Sequence, residues 1–305
     1  MRRSTLALAV AAVIVIPAGC SGNGATPTFS SAVVRSAARV AVAPLVERDV
    51  RGPLVYISDT LGNFIDVFRG DGTLVGRITA GLDYPADLFV DSAHNLWVAN
   101  DGDNNVLKFS RGAMTADSVY HDVTDSWDPS KCANGKLYVA HGEIAVFARG
   151  HHYSTGSLSE KYGIAISVAC DAAGNIFATA TVASPPGYVV EFQAGSKQAE
   201  LLPVDLPNPI DAKPDPAGNL MVLDSAGGNY NTVTEYTESG SPTGKSMPTY
   251  ANWNEIAIAP KGNAIFGADM NDAEGSLRAF PSGKQLRTYV DSELSQLGGI
   301  AYDPG

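Results

Sequence analysis

Apolar positions along the chain fall in short runs separated by polar turns. Six of these runs look alike: VYISD (Val55–Asp59), LWVAN (Leu96–Asn100), LYVAH (Leu137–His141), IFATA (Ile176–Ala180), LMVLD (Leu220–Asp224) and AIFGA (Ala264–Ala268). They recur at intervals of 39–44 residues. Each is rich in aliphatic and aromatic residues and bounded by polar ones, the pattern of a buried strand. Most follow a turn of shared form: DSAHN (Asp91–Asn95), DAAGN (Asp171–Asn175), DPAGN (Asp215–Asn219) or APKGN (Ala259–Asn263). A degraded copy, DPSKCANG (Asp128–Gly135), fills the remaining place. Gly and Asn tolerate positive φ and Asp can bond its own backbone, so these are hairpin turns.

A short strand precedes each turn, for example ADLFV (Ala86–Val90), PIDAKP (Pro209–Pro214), EIAIA (Glu255–Ala259) and GIAY (Gly299–Tyr302). A third strand follows each core run, as in NVLKFSRG (Asn105–Gly112) and SLRAFPSG (Ser276–Gly283), with an aromatic and a Gly at matching places. A weaker fourth strand, such as LVGRIT (Leu74–Thr79), ends the unit. Four antiparallel strands repeated about every 40 residues predict the blades of a propeller. The expected fold is all-β, a six-bladed β-propeller over residues 53–305. The first repeat begins at a second strand and the last ends after an inner one. The C-terminal strand is therefore expected to complete the first blade and close the ring, leaving no open edge.

The run Pro85-Ala86-Asp87-Leu88-Phe89-Val90-Asp91, then Asn95-Leu96-Trp97-Val98-Ala99-Asn100, then Val106-Leu107-Lys108-Phe109, resembles NHL-repeat propellers. That resemblance implies a broad six-bladed class shared with TolB-like domains and with calcium-dependent lactonases of the SMP-30/gluconolactonase kind. It covers Val55 to Gly305 and speaks to fold, since this scaffold hosts unrelated activities.

The N-terminus carries a different signal. Arg2 and Arg3 precede the apolar run Leu6–Ile16, too short to span a membrane and suited to an export signal. Ala18-Gly19-Cys20 resembles the end of a bacterial lipoprotein signal, which implies acylation of Cys20; Pro17 stands where a Leu-like residue is usual. The reading is a signal peptide over 1–19, a lipidated Cys20 opening a flexible tether over 20–52, and an exported protein anchored at the cell envelope, with simple secretion as the alternative. Ser21–Ser31 is small and polar, as a tether should be.

Net charge is −11, and loss of Arg2 and Arg3 would leave the chain more acidic still. Such a surface repels phosphate backbones and anionic lipid, so nucleic acid is excluded as a partner and membrane contact is left to the lipid. Cations, glycans, peptides and proteins remain. Asp59, Tyr84, Asp101, Trp127, His141, Tyr162, Asp224, Trp253 and Asp269 fall in or beside the loops of one propeller face and form a candidate ligand-binding surface. Acids interleaved with Tyr and Trp suit a cation, sugar or peptide; the same residue types also serve plain turns and blade junctions.

Asp87, Asp211 and Glu255 hold near-equivalent places on inner strands and are expected to converge on the axis. Carboxylates brought together need a cation or protons. Ca²⁺ is the cofactor such a set would take, with Asn100 as a further ligand. Zinc finds no HExxH or paired CxxC, and neither a GxSxG nucleophile motif nor a phosphate loop occurs. Cys132 and Cys170 end inner strands of adjacent blades and are either a disulfide, permitted by export, or two buried thiols. The primary expectation is a binding or scaffold module without catalysis; the alternative is a calcium-dependent hydrolase or lactonase.

Overall fold

A computed structural model describes residues 51–159, 161–182, 186–225, 231–270 and 272–305. The signal segment, Cys20 and all of the tether except Arg51 and Gly52 lie outside the described residues.

Blade 1 comprises β1 (Leu54–Asp59), β2 (Phe64–Arg69) and β3 (Leu74–Ile78), and blade 2 β4 (Pro85–Val90), β5 (Leu96–Asn100), β6 (Asn105–Phe109) and β7 (Ser118–Tyr120). Blade 3 holds β8 (Asp128–Lys131), β9 (Leu137–Ala140), β10 (Ile144–Phe147) and β11 (Gly156–Leu158). Blade 4 holds β12 (Ile164–Cys170), β13 (Ile176–Thr181), β14 (Tyr188–Phe192) and β15 (Glu200–Leu201). Blade 5 holds β16 (Pro209–Pro214), β17 (Leu220–Asp224), β18 (Thr232–Tyr236) and β19 (Pro242–Pro248). Blade 6 holds β20 (Trp253–Ile258), β21 (Ala264–Asp269), β22 (Glu274–Ala279) and β23 (Gln285–Tyr289), and β24 (Leu297–Asp303) follows. Each blade is a four-stranded antiparallel sheet, and β24 pairs with β1 to give blade 1 the order β24-β1-β2-β3. The protein is a six-bladed β-propeller, closed as the repeat phase requires.

The hydrophobic runs are continuous where one-sided strands would alternate, because each blade packs on both faces. All six residues of β1 are buried. The core is divided into six apolar clusters, each straddling two neighbouring blades. Trp97, Val106, Leu137 and Phe147 join blades 2 and 3; Phe177, Val189, Leu220 and Tyr236 join blades 4 and 5.

The repeated turn works through its Asp. Asp91 Oδ1 accepts the backbone N–H of Ala93 and Asn95, and its Oδ2 accepts Trp97 Nε1 at 2.9 Å. Asp171 and Asp215 accept the N–H of Asn175 and Asn219 in the same way, each at 2.8 Å. Positive φ falls on the residue before the Asn, at His94, Gly174 and Gly218. The Asn itself acts by donating its side-chain amide back to the Asp, as Asn95 and Asn175 do.

Ring closure is bonded beyond the strand ladder. Ser58 Oγ donates to Ala86 O at 2.7 Å and accepts Gly299 N–H at 2.7 Å, tying β1, β4 and β24 together. Asp303, fully buried at the end of β24, is paired with Arg111 and with His94 Nδ1 at 2.6 Å, both from blade 2.

Packing between blades 5 and 6 turns on Trp253, which is fully buried. Its indole lies where a side chain on Gly267 would stand, and a Cβ built there meets Trp253 Cδ2 at 2.0 Å. Gly267→Ala is expected to destabilise the fold by about 1–3 kcal/mol or more, as overpacking does. A melting experiment should show Tm lowered by roughly 2–12 °C; an unchanged Tm would contradict this packing.

Candidate functional site

The inner strands of the six blades place Asp87, Asp128, Ser167, Asp211, Glu255 and Gly299 at equivalent positions. Each stands four residues before the hairpin-turn residue Asp91, Cys132, Asp171, Asp215, Ala259 or Asp303. In five blades a register irregularity falls at or beside this position: Pro85/Leu88, Ala165/Ser167, Pro209/Asp211, Trp253/Ile256, and Ile57/Asp59 opposite β24. Such bulges re-aim side chains, and here they send polar groups to the axis.

The ring is knitted from blade to blade. Asp128 Oδ2 accepts the N–H of Val168 in blade 4 at 2.9 Å. Asp211 Oδ2 accepts the N–H of Ile256 in blade 6 at 3.0 Å. Glu255 Oε2 accepts the N–H of Ile300 in blade 1 at 2.7 Å and reaches on to the N–H of Leu88 in blade 2 at 3.4 Å. That reach depends on Gly299, where a Cβ would lie 2.2 Å from Glu255 Oε2 and 2.7 Å from Asp87 Cα. For Asp87 the corresponding place in blade 3 is Pro129, which has no N–H to give.

Four carboxyls therefore crowd one axis, and oxygens of Asp87, Asp128 and Glu255 lie within 4.8 Å of one another. Lys213 on β16 supplies the counter-charge. Its Nζ lies 2.8 Å from Asp128 Oδ2, 3.2 Å from Asp211 Oδ1 and 3.9 Å from Glu255 Oε1. Burial acts to lower the Lys213 pKa, but Asp128, Asp211 and Glu255 together outweigh it and hold the ammonium well above its ordinary range. One ammonium does not balance four carboxylates. Burial, with the repulsion of neighbouring acids, pushes Asp87 and Glu255 well above the usual carboxyl range and Asp128 up to about 6. The axis thus neutralises itself with a lysine and protons.

Of the residues expected at the axis, Asp87, Asp211 and Glu255 meet there, joined by Asp128 and Lys213. Asn100 stands elsewhere. Its Oδ1 accepts Asp83 N–H at 2.8 Å, and its amide points to Gly81 O, Asp103 and Asn105. It shares this task with three residues assigned to the ligand-binding face. Asp224 accepts Asn208 N–H at 2.7 Å, Asp269 accepts Asn252 N–H at 3.4 Å, and Asp59 accepts the N–H of Ser295. All four end a second strand and hold the loop arriving from the previous blade, and all are buried. Trp253 is also buried, in the core. Tyr84 is exposed, while Asp101, Trp127, His141 and Tyr162 are half-buried. Cys132 and Cys170 are joined as a disulfide across blades 3 and 4, with Cα atoms 5.5 Å apart.

Asp128 was legible from its offset to the turn, though Pro129, Ser130 and Lys131 mask the strand around it. Lys213 lies two residues beyond Asp211, so the strand period puts both side chains on one side. The other blades carry Phe89, Ser130, Ala169, Ala257 and Ala301 at its position, and four of these five are small or short.

The two ends of the wheel differ in charge. The loops between second and third strands and between blades form one face. Among the described residues they hold Asp83, Asp101, Asp103, Asp122, Asp125, Glu143, Asp205, Asp272, Asp291 and Glu293, against Lys161 as the sole lysine or arginine. Asp291 and Glu293 are paired with Arg77 of β3. Exposed apolar side chains interrupt the acids: Leu61 at 61%, Val290 at 58%, Tyr84 at 41% and Met270 at 37% of full exposure. Leu61 and Tyr84 sit on adjoining loops, tied by Tyr84 N–H to Asn63 Oδ1 at 2.7 Å. The opposite face, made of hairpin turns, mixes both signs, with Lys136, Arg149 and Lys261 beside Asp91, Asp171 and Asp215.

No family model matches the chain, and no curated protein matches it. Solved structures do. A chain of the nidogen–laminin complex superposes with a TM-score of 0.69 at 11% identity, covering 82% of this chain and 98% of that one. A protein of unknown function from Desulfotomaculum acetoxidans gives 0.59 at 14% identity, covering 82% and 98%. Hydrazine synthase of Kuenenia stuttgartiensis gives 0.58 at 16% identity, covering 73% and 72%. At these identities the likeness speaks for the fold.

The raised carboxyls set a pH dependence. Burial also lifts Asp66, beside Arg77, to about 6. An acid whose folded pKa exceeds its unfolded one favours folding fully below the unfolded pKa, and that gain is lost as pH rises through the folded pKa. For Asp66 and Asp128 the window runs from 3.8 to about 6. Tm is therefore expected to be higher at about pH 5 than at about pH 7.5. Asp128→Asn should flatten part of that slope. A Tm that falls on this acidification would contradict the assignment.

Proposed function

We propose that the protein is an exported binding module, held at the cell envelope by lipid on Cys20, that engages a protein, peptide or glycan through its loop face. The observation that carries this reading is the segregation of charge. Among the described residues, the loops at one end of the wheel hold ten acids and a single lysine, with exposed Leu61, Tyr84, Met270 and Val290 among them. A cationic segment of a protein or peptide suits that surface best: carboxylates steer and orient it, and apolar anchors supply contact that salt does not weaken. The fold also occurs in the nidogen–laminin complex, a protein–protein assembly by its name, which favours a protein partner.

A calcium-dependent hydrolase is the second reading, favoured by the approach of Asp87, Asp128 and Glu255. Lys213 weighs against it, because its ammonium already pairs with Asp128 and lies 3.9 Å from Glu255.

A panel of cationic peptides, titrated against the protein at low and moderate salt, tests the first reading. Asp103→Lys with Asp272→Lys is expected to weaken peptide binding about tenfold or more, while Lys136→Glu with Arg149→Glu on the turn face leaves it unchanged. Equal loss from both pairs, or none from the first, would reject the loop face. Protein purified without chelator is expected to hold no stoichiometric Ca²⁺ and to show no Ca²⁺-dependent change in Tm; one ion per chain would favour the hydrolase instead. Labelled fatty acid should enter the wild-type chain in a bacterial host and fail to enter Cys20→Ala.

A further inference from the structure

An axial cavity of about 180 Å³ runs from the acidic ring toward the hairpin-turn face. Half-buried Phe89, Val90, Ala257, Ile258 and Tyr302 supply the apolar part of its wall. Its inner end is polar and consists of Lys213 and Glu255. Glu255 is fully buried, and its Oε1 has no hydrogen-bond partner. The other carboxyl oxygen is already committed to Ile300. A buried acceptor left unmade costs stability unless a donor reaches it. Around it the carboxyls of Asp87, Asp128, Asp211 and Glu255 outnumber the one ammonium of Lys213. Once Glu255 gives up its proton this oxygen lacks a donor, and carboxyls that outnumber the single ammonium favour a positive one.

We propose that this cavity is a binding site for a small primary amine on an aromatic or compact apolar arm, its ammonium donating to Glu255 Oε1 and its arm lying against Phe89, Ile258 and Tyr302. The size fits, since an apolar cavity of about 150 Å³ accepts benzene. The mixture of a mostly apolar wall with few, convergent polar groups is that of small-molecule sites in general. An anionic ligand is disfavoured because it would meet the carboxyls, and a wholly apolar one would leave Glu255 Oε1 unmet. The site opens on the turn face and does not depend on a partner at the loop face. Because Glu255 is held above the usual carboxyl range by burial and by its neighbours, an incoming ammonium would favour its ionised form, and binding would release a proton.

Benzylamine is the probe, with benzoate as the anionic control, followed by calorimetry in two buffers of different ionisation enthalpy. Saturable benzylamine binding that raises Tm and releases protons is expected, with no binding of benzoate. Glu255→Gln keeps an oxygen for the Ile300 N–H and should weaken benzylamine about tenfold or more. Ala257→Phe fills the cavity beside Lys213 and should abolish binding. Absence of saturable benzylamine binding overturns the proposal, as does undiminished binding by the Ala257→Phe variant. If Glu255→Gln does not fold, the Ala257→Phe result and the proton release decide between site and no site. Loss of benzylamine binding with peptide binding intact would leave the loop-face reading standing, so the two fail separately.

Discussion

A sheet whose two faces are both apolar cannot stand alone in water; it needs a neighbour on each side. Every blade here is in that position, and only a closed ring gives each of them two neighbours. The pairing of β24 with β1 is the step on which the rest depends. It turns six half-buried wedges into six shared clusters and covers the edge of β1, which would otherwise be free to recruit another chain. The bonds from Ser58 to blades 1 and 2, and from Asp303 to Arg111 and His94, fasten the seam with polar groups that find partners only when the ring is shut.

Closure has a cost at the centre. Six inner strands converging on an axis bring equivalent side chains into one small space. Apolar side chains there would compete for room, and polar ones must be satisfied without much water. Carboxylates reaching the next blade's backbone N–H solve the second problem and bind the blades as they do so. They create another, since like charges gather. Lys213, raised carboxyl pKa values, and Gly299 in place of a sixth side chain are the means by which the axis accommodates them. The loop face, with water beside it, needs no such economy.

The repeat made the strands, the blade count and the closing partner legible, because both-face burial writes apolar runs at a regular period. Asp87, Asp211 and Glu255 were readable as an axial set from their common offset to the turn. Asp128 shares the offset but sits in a strand whose Pro, Ser and Lys do not look like a strand interior. Lys213 looks like an ordinary strand residue until it is seen that neighbouring blades offer mainly small side chains, which leave it room to swing into the ring. Asn100, Asp59, Asp224 and Asp269 read as ligands because they are polar residues at strand ends. The structure shows them holding the incoming loops, a role visible only when the preceding blade is in place.

The amino-acid sequence by itself determined the period, the antiparallel blade, the Asp-capped turns and the number of sectors, since each follows from contacts local in the chain. The tertiary structure alone decided which polar side chains share the axis, which of them are neutralised, which oxygen of Glu255 is left unmet and where the cavity runs. Those depend on distances between residues tens to hundreds of positions apart. Such distances are set by how six twisted sheets close upon one another, and no local pattern encodes them.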